Sequence, residues 1–392
     1  MIKILYSLAL LFAFQTSFGK ILIIDSNFPS FKEGKSEVDF KQCRLISEAE
    51  DLKNQMGPCF DLELENKIKS DVADKEILIG MMDFLAGLST PASLKYSHEK
   101  NKDDRAKIKW QKIKEDYILY THGSRVLSIL LKNGIQEKDL ILMRMTSSKA
   151  ALQKIDPKLL ENVKTTPNQK NQKCDLQIRS DADFDQVKKG QLRGFVASID
   201  ELLKSDREIK IVSVSLGYKL SWLYEDHPFC SPAETEREFR YLKESYQKLF
   251  EAHPQVYFVL AAGNENEDFD QDIFRKNDLW ASLNELKNLI LVGSLKNNGE
   301  KFPSSNFGKK VVLIKGEEIK SCSSIGFLSV PMDHSCHETT LRGTSFSTPI
   351  LASLFYKILH AKNDSKDPVE ELKIKVQEFN KQNLALKIPA AR

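Results

Sequence analysis

Residues 21–26 read Ile-Leu-Ile-Ile-Asp-Ser. A half-buried strand alternates apolar and polar residues, and this one does not. A short continuous apolar run fits a strand covered on both faces. Similar runs recur at Leu140–Met145, Ile211–Leu216, Val256–Ala261, Leu289–Val292 and Val311–Ile314. Between them lie helical spacings. Val126, Ile129 and Leu130 share one face, with Gly134 as the stop, and Leu351, Leu354, Phe355 and Ile358 share another. Near the end, Asp367 and Pro368 supply a cap and a first helical position for a face of Val369, Leu372, Val376 and Phe379. Such alternation predicts an α/β fold, a doubly wound and mainly parallel sheet with helices on both faces.

The chain has 392 residues, of which 41% are hydrophobic and 29% charged. That suffices for a sizeable core and is too apolar for a disordered chain. Lys and Arg number 58 against 55 Asp and Glu, a net charge of +3. This balance excludes a strong global pull on nucleic acid. The Lys-rich stretch from Lys95 to Lys114 holds Tyr96 and Trp110, but also Glu99, Asp103 and Asp104, and reads as a solvated surface loop. We read one domain over 20–392, with insertions at about 26–121, 146–208 and 218–250.

Residues 1–19 carry Lys3, an apolar stretch from Ile4 to Phe14 broken only by Ser7, and small residues at Ser17 and Gly19. This predicts a secretory signal cut before Lys20, and hence a secreted or periplasmic protein. No run reaches the roughly 18 apolar residues of an ordinary span, so no stable membrane span is expected after cleavage. All six cysteines follow the cut, and an even number in an exported chain predicts disulfides. Cys322 with Cys336 closes a short loop and ranks first; Cys43 with Cys59 follows; Cys174 with Cys230 is left by subtraction. A zinc site from Cys322, His334, Cys336 and His337 needs more coincidences, so no metal and no cofactor are expected.

Four short motifs carry chemistry. Asp25 ends the first apolar run, where sites assemble in open parallel sheets. His122, in Thr-His-Gly-Ser-Arg-Val at 121–126, sits where a helix begins, and a neutral imidazole there can take a proton from a nucleophile. Asn264, in Ala-Ala-Gly-Asn at 261–264, projects an amide from a strand end. Ser345, in Arg-Gly-Thr-Ser-Phe-Ser-Thr-Pro at 342–349, opens an apolar helix whose free N–H groups and positive dipole end suit an oxyanion. Each of the first three is an ordinary turn or cap when taken alone.

Together they resemble the subtilisin family of serine peptidases, whose triad runs Asp, His, Ser along the chain. The resemblance spans about residues 20–362. It implies catalytic roles for Asp25, His122 and Ser345, an oxyanion hole from Asn264 and the Ser345 N–H, and substrate pairing by Ser215, Leu216 and Gly217. Ser305-Asn306-Phe307-Gly308 resembles the stretch that precedes the serine motif. Glu265 resembles an acidic residue at the rim of the specificity pocket in some members, which implies a preference for Lys or Arg before the cleaved bond. The resemblance thus implies an endopeptidase with polypeptide substrates.

There are departures. Asn27 and Ile314-Lys315-Gly316 differ from the family's usual residues. Asp25 follows the expected cut too closely for the propeptide many members carry, which leaves room for a separate inhibitor or activator. Calcium is not carried over. A sedolisin-type acid peptidase would replace His122 by Glu and Asn264 by Asp. A catalytically inactive exported binding protein on the same scaffold is the remaining alternative.

Overall fold

The computed structural model describes residues 19–25, 31–33, 36–38, 43–46, 56–57, 121–145, 174, 176, 194–323, 337–361 and 367–385. The strands are β1 (Lys20–Asp25), β2 (Phe31–Glu33), β3 (Ser36–Val38), β4 (Cys43–Ile46), β5 (Met56–Gly57), β6 (Leu140–Met145), β7 (Ile209–Val214), β8 (Tyr257–Ala261), β9 (Leu289–Leu295), β10 (Val311–Lys315), β11 (Ile319–Ser323) and β12 (His337–Leu341). The helices are α1 (121–132), α2 (Gly194–Ser205), α3 (Leu220–Asp226), α4 (Pro232–Ala252), α5 (Asp272–Asn277), α6 (Thr344–His360) and α7 (Pro368–Ala385).

One sheet runs in the order β10-β9-β8-β7-β1-β6-β4-β5. Seven of its strands are mutually parallel, and only β5 at the edge runs against its neighbour. The apolar runs are continuous because each strand feeds two cores. On β1, Ile21 and Ile23 join Val126 and Leu130 of α1, Leu351 and Phe355 of α6, and Leu372 and Val376 of α7. Leu22 and Ile24 turn the other way, toward Val196 of α2 and Leu242 and Phe250 of α4. Strands β8 and β9 split alike, with Val259 and Ile290 on the first face and Phe258, Leu260 and Leu291 on the second. A side-chain period of two guarantees this division. The fold is therefore the α/β arrangement the alternation predicts, with helices on both faces of a mainly parallel sheet.

The helices begin where side chains replace missing partners. Asp367 Oδ1 accepts from the N–H groups of Val369 (3.0 Å) and Glu370 (3.2 Å), and Pro368 takes the first position of α7. Ser231 and Glu234 form a capping box at α4, with Pro232 at its start. Of the stretches read as insertions, 146–208 holds α2, and 218–250 holds α3 and most of α4. The stretch 26–121 holds β2 to β5, of which β4 and β5 extend the sheet beyond β6.

Cys174 and Cys230 are joined, with Cα atoms 4.4 Å apart. Cys43 is also disulfide-bonded. Cys322 lies on β11 opposite Glu338. Cys59, Cys336, residues 1–18 of the expected 1–19 signal and the Lys-rich 95–114 lie outside the described residues. Among the described residues no helix is long and apolar enough to cross a membrane, and no group of three metal-ligating side chains converges.

Candidate active site

Strand order decides where a site forms. The chain adds β4 and β6 on one side of β1, then β7, β8, β9 and β10 on the other. Connections diverge at such a reversal and leave a crevice at the carboxyl ends of the strands. Asp25 is the last residue of β1; Ser215 to Gly217 follow β7, and Ala262 to Asn264 follow β8.

Asp25 is fully buried, and His122 stands beside it on α1. His122 Nδ1 lies 2.9 Å from both Asp25 Oδ1 and Oδ2. The carboxylate accepts, so Nδ1 carries the proton and Nε2 is the basic nitrogen. The ring of Phe346, next after Ser345, lies 5.4 Å from the imidazole, centroid to centroid.

Ser345 is the second residue of α6, and Gly343 precedes the helix with φ 115°. Only glycine adopts that angle without strain, and a Cβ there would stand 3.1 Å from Asn264 Oδ1. Asn264 Oδ1 accepts from the Thr344 N–H (3.0 Å) and the Thr344 hydroxyl (3.2 Å). Its carbonyl end is thus fixed to the helix start. Asn264 Nδ2 and the Ser345 N–H meet no acceptor among the described residues. Among the described residues both donors are thus left open.

Pro349 lies inside α6, four residues after Ser345. It has no N–H, so the Ser345 carbonyl loses its helical partner. Ser215 Oγ donates to that carbonyl at 2.8 Å, and Ser345 Oγ donates in return to the Ser215 carbonyl at 3.0 Å. The serine hydroxyl is therefore held on the 215–217 segment, and among the described residues it bonds Ser215, not His122. Leu216 is anchored through its carbonyl by Trp280 Nε1 at 2.9 Å. Gly217 lies against the ring of Trp222.

Glu265 is exposed and ion-paired. Its carboxylate meets Lys219 Nζ at 2.9 Å and Asn306 Nδ2 at 2.8 Å. Asn306 Oδ1 accepts from the N–H groups of Glu265 (3.0 Å) and Glu267 (2.9 Å). Behind them Asp278 is buried, and desolvation pushes its carboxyl up to about 7 despite the opposing Ala281 N–H and the Lys219 charge. The structure thus brings Asp25 and His122 into contact, ties Ser345 to Ser215, and fixes Asn264 to the start of α6. Sequence reasoning passed over Thr344, Lys219 and the bracing role of Asn306. The proline four residues after the serine was the one visible signal that the Ser345 carbonyl needs an outside partner.

The chain matches the Peptidase_S8 subtilase family over residues 47–382. It belongs to that family and is a subtilisin-like serine peptidase. Solved structures similar to it include the A-subunit of the AB5 toxin from E. coli, at 14% identity and TM-score 0.42, covering 92% of this chain and 84% of that one. A cold adapted subtilisin-like serine proteinase gives 16% identity and TM-score 0.41, covering 91% and 80%. The PatG macrocyclase in complex with peptide gives 14% identity and TM-score 0.40, covering 87% and 76%. No curated protein matches the chain.

Proposed function

We propose that this is an exported endopeptidase that cleaves polypeptides with Asp25, His122 and Ser345 as its triad. The observation that carries the reading is the Asp25–His122 pair, a buried carboxylate gripping Nδ1 through both oxygens at 2.9 Å. This fixes the tautomer a general base needs. The mechanism requires Oγ to turn from the Ser215 carbonyl to Nε2. Resting sites often tighten this contact only when substrate arrives.

Ser345 Oγ then attacks the scissile carbonyl as its proton passes to His122 Nε2. The carbonyl oxygen takes the negative charge and is met by Asn264 Nδ2 and the Ser345 N–H. On collapse the C–N bond breaks, and the imidazolium proton goes to the leaving amine. Water repeats the sequence on the acyl-enzyme, giving up its proton to Nε2, which returns it to Ser345 Oγ. Substrate backbone lies along Ser215, Leu216 and Gly217. The Cys174–Cys230 bridge supports an oxidising, extracytoplasmic compartment.

Signal-free protein treated with an alkyl fluorophosphonate, beside Ser345→Ala, tests this. Labelling of the wild type alone is expected. A folded wild type that stays unlabelled overturns the reading and favours a binding protein on the same scaffold.

A further inference from the structure

We propose that Lys301 is a positioning residue for the oxyanion site, because its ammonium fastens the turn that carries Asn264 to the 302–305 segment and so aims Asn264 Nδ2 at the reacting carbonyl. The inference rests on the peptidase reading and deepens it.

The turn after β8 is held from outside. Gly263, before Asn264, has φ 100°, and Asn266, after it, has φ 60°. Asn tolerates that left-handed angle better than most residues, but such a backbone persists only where its surroundings fix it. Much of the fixing comes from residues 304–306. The Asn266 N–H donates to the Ser304 carbonyl at 2.7 Å, and the Asn306 N–H donates to the Gly263 carbonyl at 3.0 Å. Asn306 Oδ1 takes the N–H groups of Glu265 and Glu267, on either side of Asn266. The Asn264 amide is thus set at two ends. Its Oδ1 is fixed to α6, and the backbone that carries it is fixed to 304–306.

Lys301 joins the two segments at one point. Its Nζ donates to Asn266 Oδ1 at 2.6 Å, and lies 3.3 Å from the carbonyl oxygens of Phe302 and Pro303 and 3.2 Å from that of Ser305. It also stands 4.7 Å from the centroid of the Phe307 ring. An ammonium has three protons for these four oxygens, so the bonds are shared and the carbonyls of a whole turn gather around it. Among the described residues no carboxylate pairs with Lys301, and burial lowers its pKa with no acid to offset the shift. Its partners are neutral dipoles of the chain, two residues from Asn264.

The Asn264 amide meets full negative charge only once the carbonyl has been attacked. A loosened Asn264 therefore loses transition-state binding and leaves ground-state binding alone, which lowers kcat at constant KM.

Lys301→Met keeps the stem and removes the charge. On a peptide substrate its kcat is expected to fall about tenfold, part of the roughly 10²–10³-fold that loss of the donor itself costs, with KM within about twofold of wild type. In an Asn264→Ala background the same substitution is expected to change kcat by less than about twofold, because the donor that Lys301 aims is already gone. A merely structural lysine would give the same loss in both backgrounds, and that result overturns the proposal. A folded Lys301→Met enzyme with wild-type kcat, or with a raised KM alone, also overturns it. If Lys301→Met fails to fold, Asn266→Gly decides, since it keeps the left-handed backbone and removes the side-chain acceptor of Lys301. A fall in kcat that vanishes in the Asn264→Ala background supports the proposal, and an unchanged kcat or a fall that persists there overturns it. A wild type that the alkyl fluorophosphonate does not label fails at the peptidase reading itself, whereas a labelled enzyme with equal losses in both backgrounds fails here alone.

Discussion

In the proposed mechanism Ser345→Ala removes the oxygen that forms the acyl bond, and turnover is expected to drop by about a millionfold, the scale established on subtilisin itself. Asn264→Ala removes a single donor and leaves the nucleophile, so kcat is expected to fall by about 10²–10³-fold, again the subtilisin range. Steady-state kinetics distinguish the two, and an Asn264→Ala enzyme with unchanged kcat would remove the oxyanion role. Asp278 makes a different prediction. Its carboxyl is raised from 3.8 to about 7, chiefly by desolvation, with Glu267 and Glu265 adding to the rise and Lys219 opposing it. A raised folded value means the native chain holds the proton more tightly than the unfolded chain. The stabilisation is therefore complete below the unfolded value and is lost as pH rises through about 7. In a Ser345→Ala background, which prevents autolysis, Tm should decline between pH 4 and 7, and Asp278→Asn should flatten that part of the curve. Asn keeps the acceptor for the Ala281 N–H, 2.8 Å away in the native protein, and cannot ionise.

At the scale of elements, α6 and the segment after β7 are joined by one exchange, in which each serine hydroxyl of the Ser215–Ser345 pair binds the other residue's carbonyl. Pro349 makes the exchange necessary, because it strips the Ser345 carbonyl of its helical donor. Ser215→Ala should then destabilise by about 1 kcal/mol. Adding Pro349→Ala should recover part of that, since the restored N–H satisfies the orphan carbonyl. Urea denaturation of the two single variants and the double one measures the coupling, and strictly additive losses would show the two positions to be independent. The same exchange explains a boundary the sequence alone misplaces. The apolar run continues through Leu216, yet β7 stops at Val214, because Ser215 turns out of the ladder to meet α6. Strands β1, β6, β8, β9 and β10 were legible to within three residues, since burial on both faces writes itself as an unbroken apolar run. The polar crossover at 146–208 hides α2, whereas 218–250 shows a helix-like tail where α4 lies. The charged face of α4 is written into residues 232–252 as plainly as its buried face of Phe239, Leu242, Leu249 and Phe250, so the stretch reads as an inserted surface segment. The Lys219–Glu265–Glu267 contacts were illegible for another reason. They join residues 46 and 48 positions apart, and only the parallel pairing of β7 with β8 brings them together.

At the scale of the whole molecule, the Cys174–Cys230 bridge ties the crossover before α2 to the turn before α4, closing a loop of sequence separation 56. That loop contains α2, β7 and α3, and so includes Ser215 and Lys219. Asp25, His122, Asn264 and Ser345 all lie outside it. The bridge therefore constrains the 215–217 segment together with α2, β7 and α3, while the proposed triad rests on elements it does not enclose. Restricting an unfolded loop of that length is worth about 4 kcal/mol in the chain-entropy account. Cys174→Ser combined with Cys230→Ser should lower unfolding stability by an amount of that order in denaturant titration. Below the new midpoint, the rate of Ser345 labelling by an alkyl fluorophosphonate should stay within twofold of the wild type, because that probe needs only the nucleophile, its base and the oxyanion donors. Extended peptide substrates also need the 215–217 wall, so their KM should rise while labelling holds. A parallel collapse of labelling and peptide cleavage would mean that the bridge supports the triad as well as the wall.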